Sequence, residues 1–266
     1  MKKSRILVIA LAMVLALSAV VFAGCKKEEK VITVGYTIYA PMNYMENGEL
    51  VGFDTDLAKA VFEELGYKVL FKEIQWEQKY TELEAGTISC IWNGFTSNGE
   101  DDGKARSEYV DFSYNYMINK QVVVASNELA ATVTSADDLK EKVGSAEKGS
   151  IGYGYLTDSF EGALVKDATS QLSALQDLKM GGCQFVVLDE QLAKAYVGTG
   201  DYADYTIIDA LSSDIEYYAI GFKKGSDLTA KVNETLEKFA GNGKLEEIAK
   251  KYSVENAIIK DFSDQK

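Results

Sequence analysis

The chain has 266 residues, with 28 Lys+Arg, 41 Asp+Glu and no histidine, and its formal net charge is −13 at pH 7. Such an acidic chain argues against nucleic acid as a partner. The missing histidine removes the most common general base and the most common zinc ligand. A chain of this length can bury the cores of two modest domains.

The first 24 residues predict a secretory leader, with a basic start (MKKSR), an apolar run of 19 residues and a small-residue end. The residues before Cys25, Val-Phe-Ala-Gly, are similar to the lipobox of bacterial lipoproteins. Cleavage would then leave Cys25 lipidated on a short tether, residues 25–30, and the remaining chain outside the cytoplasmic membrane, in the periplasm or at the cell surface. The alternative is an ordinary signal anchor, because the run is nearly long enough to span a bilayer. Loss of residues 1–24 removes three basic residues and no acid, which moves the charge from −13 to −16.

The first part of the predicted soluble body alternates strands with helices. Asp54 opens a helix whose apolar positions fall on one face, and Gly66 ends it. A strand is predicted before this helix, at 31–37, and another after it, at 68–74. A second helix at 77–85 and a third strand at 87–94 follow.

The same order returns in the second half. Ser135 and Asp138 predict a capping box. Strands are predicted at 143–147 and 183–189, and helices at 151–165, at 171–180 and from Glu190. This alternation predicts an α/β protein with two units, each built on a largely parallel sheet.

Two extended runs, 120–126 and 215–225, lie between the predicted units, and helices near 226–240 and 243–252 close the chain. A chain that crosses to a second lobe and returns needs two such strands, as in proteins that close on a ligand by a hinge. We therefore predict lobe 1 at 31–122 and 219–266 and lobe 2 at 123–218.

Cys90 and Cys183 lie in apolar runs and are expected to be buried thiols, with a disulfide between them as the alternative.

After Arg5 in the leader, Arg106 is the only arginine of the sequence. A guanidinium differs from the lysine ammonium because its planar fork can bind a carboxylate bidentately. Arg106 is therefore a candidate for binding a carboxylate. The alternative is a surface arginine in a charged loop.

Three further segments carry a resemblance to a known family: GFDTDLAKAVFEELGYKVLFKEIQW at 52–76, GFTSNG…ARSEYVDFSYNYM, and VVLDEQLAKAYV. In these segments, and over nearly all of 31–255, the chain resembles the polar amino-acid substrate-binding proteins of ABC importers. The resemblance implies a two-lobe fold of the periplasmic-binding-protein type with two hinge strands. It also implies a monomeric binding protein rather than an enzyme, with no cofactor, that takes a free amino acid and delivers it to an ABC permease with its ATPase.

The family pattern assigns the ligand's charged groups to matching positions. Arg106, just before the VDFS strand, matches the arginine that binds the α-carboxylate, and Thr96 matches a hydroxyl that supports it. Gly94 matches a backbone carbonyl for the α-ammonium, and Asp189 matches the carboxylate that binds it. Caps of the following turn or helix are the alternatives for Thr96 and Asp189. The segment 97–105 is longer than in the family, which puts the exact position of Arg106 in question.

The resemblance adds further site residues. Ser150 and the N–H of Ile151 match the Gly-Ser/Thr turn at a helix start, where an anion is favoured, and an ordinary N-cap is the alternative. Tyr39 and Trp76 match aromatic residues that stack on the ligand, with plain core residues as the alternative. Because Tyr36 stands where relatives for cationic amino acids often carry an acid, the expected ligand is polar, such as glutamine or cystine.

Other kinds of site fit less well. The NGEDDG loop resembles a calcium loop, but Tyr109 falls where the bidentate glutamate is needed. GSIGYG lacks the Gly-Lys-Ser/Thr ending of a phosphate loop, and no metal cluster can be assembled. The remaining alternatives are an enzyme similar to cyclohexadienyl dehydratase on the same fold, which needs an acid in the cleft, and a structural lipoprotein. A transglycosylase would need a further domain.

Overall fold

The computed structural model describes residues 29–266. The predicted leader, Cys25 and most of the predicted tether lie outside the described residues. Among the helices of residues 29–266, none has the length and apolar character needed to cross a membrane.

The strands of the described range are short and form two five-stranded sheets and three two-stranded ones, β2-β3, β6-β7 and β9-β15. In chain order they are β1 (Lys30–Tyr36), β2 (Tyr44–Glu46), β3 (Glu49–Val51), β4 (Tyr67–Glu73), β5 (Cys90–Ile91), β6 (Glu100–Asp101), β7 (Lys104–Ala105), β8 (Asp111–Phe112), β9 (Met117–Asn119), β10 (Gln121–Ser126), β11 (Val143–Glu147), β12 (Leu164–Ala168), β13 (Phe185–Asp189), β14 (Tyr205–Ile207), β15 (Glu216–Tyr218) and β16 (Gly221–Phe222). The first sheet has the order β4-β1-β5-β16-β8 and the second β12-β11-β13-β10-β14.

Helices cover both sheets. They are α1 (Phe53–Glu64), α2 (Lys79–Glu84), α3 (Arg106–Tyr109), α4 (Asn127–Ala130), α5 (Ile151–Ser159), α6 (Gln171–Lys179), α7 (Glu190–Tyr196), α8 (Leu228–Asn242) and α9 (Lys244–Lys251), with 3-10 turns at Trp76–Gln78, Ala136–Leu139, Gly200–Tyr202, Asp209–Leu211 and Ser263–Gln265. The fold is therefore α/β, as predicted, and Ser135 and Asp138 form the expected capping box.

Each sheet combines parallel and antiparallel pairs. β1 and β5 are parallel, as are β11 with β12 and β11 with β13. β16 runs antiparallel to β5 and β8, and β10 runs antiparallel to β13 and β14. The reason is connectivity: a helical crossover returns the chain in the parallel sense, whereas β10 and β16 enter from the other sheet without one.

The chain passes between the sheets twice, along two adjacent strands. β9 leads into β10 and β15 leads into β16, and β9 and β15 pair antiparallel with Asn119 opposite Glu216. The predicted single run 215–225 is thus two strands, which belong to different sheets. Residues 31–266 form one compact unit, and the division into lobes at 122/123 and 218/219 stays a proposal.

Packing explains most other element boundaries. α1 buries Leu57, Val61 and Phe62 completely, as its predicted apolar face requires. The predicted helix 151–165 was too long: it ends at Ser159, and β12 follows as an edge strand. Cys90 and Cys183 are buried free thiols.

Candidate ligand-binding site

A small cavity lies where strands β5, β11 and β13 end, between the two sheets. Its lining residues come from both sheets and their flanking helices: Trp76, Asn93, Gly94, Thr96, Arg106, Glu147, Ser150, Ile151, Gln171 and Asp189. Parallel strands of open α/β sheets place ligand sites at such carboxyl ends. The cavity measures about 20 Å³, which is room for about one water molecule. A larger ligand therefore enters only after the walls move apart.

Seven of the eight residues predicted to bind a ligand line this cavity. The eighth, Tyr39, lies behind Gly94, where its hydroxyl is 2.7 Å from that of Tyr218. Glu147, Gln171 and Asn93 also line the cavity and were not predicted.

Arg106 is the first residue of α3, and its side chain is only 1% exposed. Nη2 donates to Oδ1 of Asp101 at 3.0 Å, and Nη1 donates to the carbonyl of Thr96 at 3.3 Å. The guanidinium carbon lies 5.1 Å from the centre of the Phe95 ring. Nε is buried and has no hydrogen-bond partner among the described residues. Since an unpaired buried donor is costly, this atom marks Arg106 as a group with an unused binding capacity, which argues against a surface arginine.

The long segment at 97–105 forms a hairpin that supplies the counter-ion of Arg106. β6 and β7 pair across a turn at Asp102 and Gly103. Asp101 Oδ2 accepts from the Tyr80 hydroxyl at 2.7 Å and lies 3.2 Å from Lys79 Nζ. Burial alone would raise the pKa of Asp101, but Arg106 and Lys79 hold that pKa below its usual value.

The same hairpin touches the opposite wall. A Cβ on Gly99 would lie 2.3 Å from Cδ1 of Ile151, the first residue of α5. Lys79 Nζ, from α2, donates to the carbonyl of Gly149 at 3.3 Å. The mouth of the cavity is therefore closed by direct contacts between residues of the two walls.

Asp189 ends β13 at the N-cap position of α7, but its side chain does not cap that helix. Oδ1 accepts from Asn119 Nδ2 at 2.8 Å and from Gln121 Nε2 at 2.5 Å, and Oδ2 accepts from Gln171 Nε2 at 2.5 Å. Burial raises the pKa of Asp189, and the three neutral amides oppose that rise. The carboxyl is thus oriented by amides, none of which carries a positive charge.

Glu216, on β15, is a second carboxyl beside Asp189 and was not predicted. Its Oε1 accepts from the same two amides, those of Asn119 and Gln121, and its Oε2 accepts from the Thr96 hydroxyl at 3.1 Å. Burial, followed by the charge of Asp189, raises the pKa of Glu216 to about 7. Thr96 therefore connects the arginine side of the cavity, through its carbonyl, with the acidic side, through its hydroxyl.

Glu147 is a third carboxyl at the cavity and ends β11. It is 4% exposed, and its Oε1 accepts no hydrogen bond from residues 29–266. Burial, and then the charge of Asp189, raise the pKa of Glu147 to about 8, although Lys79 acts in the opposite sense. Its position at the carboxyl end of a predicted strand was the signal in the sequence that could have identified it.

The other predicted residues have local structural roles as well. The hydroxyl of Ser150 accepts from the N–H of Tyr153 at 3.1 Å, as an N-cap does. Gly94 has φ +57° and donates its N–H to Asp54 Oδ2 at 2.8 Å. Trp76 packs edge-on against Phe95 at 5.4 Å. Each of these residues therefore has a contact that holds it in the cavity wall.

Metal binding finds no support in the described part of the chain. Residues 29–266 contain no group of three His, Cys, Asp or Glu side chains placed to hold an ion. Asp189 and Glu216 accept hydrogen bonds instead from amides and, for Glu216, from the Thr96 hydroxyl.

Comparison with known proteins places the chain in a family. The model of the bacterial extracellular solute-binding proteins, family 3, matches residues 32–255. The arginine-binding extracellular protein ArtP of Bacillus subtilis is 27% identical over 265 residues, which cover 95% of this chain and 98% of ArtP.

Two solved structures extend the comparison. An ancestral arginine-binding protein bound to arginine superposes with a TM-score of 0.76 and 31% identity, over 84% of this chain and 98% of that one. The ancestral amino-acid-binding protein AncCDT-1, described as a precursor of cyclohexadienyl dehydratase, superposes with a TM-score of 0.75 and 25% identity, over 84% and 95% of the two chains.

Proposed function

This chain belongs to the bacterial extracellular solute-binding proteins of family 3, and we propose that it binds a free amino acid outside the cytoplasmic membrane and delivers it to an ABC importer. The observation that carries the proposal is the pairing of opposite charges across one cavity. Arg106, whose Nε has no partner within residues 29–266, and Asp189 both line it. A zwitterion carries one group for each of them.

Arg106 and Asp189 are held in place by different kinds of hydrogen-bond partner. Arg106 is fixed by Asp101 and by the Thr96 carbonyl, which leaves Nε for the ligand's α-carboxylate. Asp189 is oriented by neutral amides, so the ligand's α-ammonium is its first full positive partner. Hydrogen bonds to charged groups contribute about 1.5–3 kcal/mol each, so these two contacts supply a large part of the roughly 8 kcal/mol of micromolar binding.

Binding requires a conformational change, because the cavity as it stands holds about one water molecule. We propose that the walls part about the paired strands β9 and β15 and close again on the ligand. A ligand shifts such an equilibrium only by its extra affinity for the closed arrangement. The contacts of Lys79 with Gly149 and of Gly99 with Ile151 belong to that arrangement.

The membrane anchor and the transport partners are proposed from the family and from the predicted leader. We propose that Cys25 is lipidated, that the protein is a monomer held at the outer face of the cytoplasmic membrane, and that the closed form is recognised by a permease with its ATPase. Mass spectrometry of the membrane-extracted protein tests the anchor: a diacylglyceryl mass on Cys25 supports it, and an unmodified Cys25 rejects it.

The proposal is tested by calorimetric titration of the purified protein, unfolded and refolded to remove bound ligand, against the twenty amino acids and cystine. We expect tight 1:1 binding of one or a few of them, and its loss in Asp189→Asn. Glu190→Gln, next to Asp189 but paired with Lys120 and Lys194, is the matched control and should bind normally. Failure of every ligand in the panel would reject the proposal.

Glu147 supports a second candidate, an enzyme similar to cyclohexadienyl dehydratase. Such a reaction needs an acid in the cleft, and a buried carboxyl whose pKa is raised to about 8 can donate a proton at neutral pH. The test is incubation with prephenate and arogenate. Release of the aromatic product, abolished in Glu147→Gln, would establish this candidate, and no turnover together with amino-acid binding would exclude it.

A further inference from the structure

We infer that Glu147 selects amino acids that carry a second positive charge on the side chain. The inference rests on the proposed function and names the ligand class that the same cavity takes. Glu147 lines the cavity, and its Oε1 is buried and accepts no hydrogen bond within residues 29–266. An unsatisfied carboxyl of this kind is destabilising unless a partner arrives.

The charges of the cavity wall also favour a ligand with a second positive charge. Its lining contains one cation, Arg106, and two carboxyls, Glu147 and Asp189. Arg106 already has an anionic partner in Asp101 at 3.0 Å, which it shares with Lys79. A zwitterion adds one positive and one negative group, so it satisfies one carboxyl only. Glu147, which burial keeps neutral in the empty cavity, needs a second cation on the ligand in order to ionise.

The protein's own cations do not fill this place. The charge of Lys79 acts on Glu147. Lys79 Nζ, however, lies 3.2 Å from Asp101, donates to the Gly149 carbonyl and faces the rings of Trp76 and Tyr80. No ion pair joins Glu147 to any lysine or arginine in the described range. The carboxyl therefore remains available to a ligand.

Glu147 lies at a different place from position 36, where relatives for cationic amino acids often carry an acid. Tyr36 had argued against a cationic ligand, because no acid stands there. Tyr36 packs edge-on against Phe71, 6.1 Å away, and is absent from the cavity wall. The structure supplies an acid instead from the end of β11, on the opposite sheet.

The test compares two ligands of nearly equal shape. Arginine and citrulline differ by the charge of the side-chain end, and both are titrated by calorimetry into the ligand-free protein. We expect arginine to bind at least about 30-fold more tightly than citrulline, the effect of one charged hydrogen bond. In Glu147→Gln this ratio should fall to about 1, while Glu190→Gln, which removes a carboxylate paired with Lys120 and Lys194, should keep it.

Each outcome decides one claim. Equal binding of arginine and citrulline by the wild-type protein overturns the inference and leaves the proposed function standing, and so does an unchanged ratio in Glu147→Gln. Binding of no amino acid at all rejects the proposed function itself. If Glu147→Gln does not fold, the wild-type comparison, repeated with lysine against norleucine, which lacks the terminal ammonium, still decides the ligand class.

Discussion

Asp101 and Arg106 form a buried ion pair, with 3.0 Å between Oδ1 and Nη2, and Asp101 comes from the hairpin that lengthens the segment before the arginine. The hairpin therefore fixes the guanidinium in place and balances its charge. It also leaves Nε as a donor without a hydrogen-bond partner among the described residues.

Removing the charge of Asp101 should destabilise the protein. Asp101→Asn leaves Arg106 and Lys79 as two buried cations without a carboxylate, and loss of one partner of a buried pair costs about 3 kcal/mol. Urea unfolding measures this cost. Asp102→Asn is the control: this exposed neighbour has φ +52°, which asparagine tolerates, so its free energy of unfolding should stay within about 0.5 kcal/mol of the wild type. Equal effects of the two variants would show that the ion pair contributes nothing.

The same variant should also change ligand preference. With Asp101 neutral, the cavity has an excess of positive charge near Arg106, so glutamate should gain affinity relative to glutamine. Competition calorimetry gives this ratio for the wild type, Asp101→Asn and Asp102→Asn. A ratio that does not move in Asp101→Asn would contradict the role of this carboxylate in the site.

Ser150 should have two separable effects. Ser150→Ala removes the N-cap of α5 and should lower the free energy of unfolding by about 1 kcal/mol. Ser126→Ala removes the corresponding cap of α4, far from the cavity, and should cost a similar amount. Only Ser150→Ala should also weaken amino-acid binding. If both variants bind with wild-type affinity, Ser150 is a helix cap and no more.

Gly94 is required for its backbone conformation and for close packing. At φ +57°, a Cβ would lie 2.7 Å from the Tyr39 ring, so Gly94→Ala should destabilise by more than about 1 kcal/mol. Gly154, inside α5, has open space around it, and Gly154→Ala should stabilise by about 0.4–1 kcal/mol. Denaturation midpoints compare the two, and opposite signs are expected. Two shifts of the same sign would contradict the packing described for Gly94.

Stability should fall as the pH rises from acid to mildly alkaline conditions. Burial raises the pKa of Glu147 to about 8, and those of Glu216 and Asp54 to about 7, from ordinary values near 4. A raised folded-state pKa gives stability that is complete below the unfolded value and is lost as the pH passes the folded one. The free energy of unfolding should therefore decrease between about pH 5 and pH 8.

Lys79 changes the pH dependence of the free energy of unfolding only above this window, because burial lowers its pKa to about 8. Glu147→Gln should make the slope shallower by at most about 1.4 kcal/mol per pH unit. Unfolding of the ligand-free protein across the window provides the measurement. A flat or rising profile in the wild type would show that these carboxyls are not held neutral by burial.

The sequence predicted the alternation of strands and helices because that pattern is local. Arg106, Asp189 and Ser150 were placed by motif and do reach one cavity. The partners of these residues were not predictable, since Asp101 comes from the hairpin, Gln171 from the start of α6 and Glu216 from β15, and only tertiary packing brings them to the cavity. Edge strand β12 was not predicted for a related reason: its position depends on pairing with β11 and not on the hydrophobic pattern of its own residues.

The central claim is that Arg106 binds the ligand's α-carboxylate, and one double comparison tests it most directly. The best-bound amino acid and its decarboxylated amine are titrated into the wild type and Arg106→Lys. We expect Arg106→Lys, which keeps the charge and loses the Nε donor, to weaken the amino acid by about 1.5–3 kcal/mol and to leave the amine unchanged. Equal losses for both ligands, or no loss for either, would contradict the account.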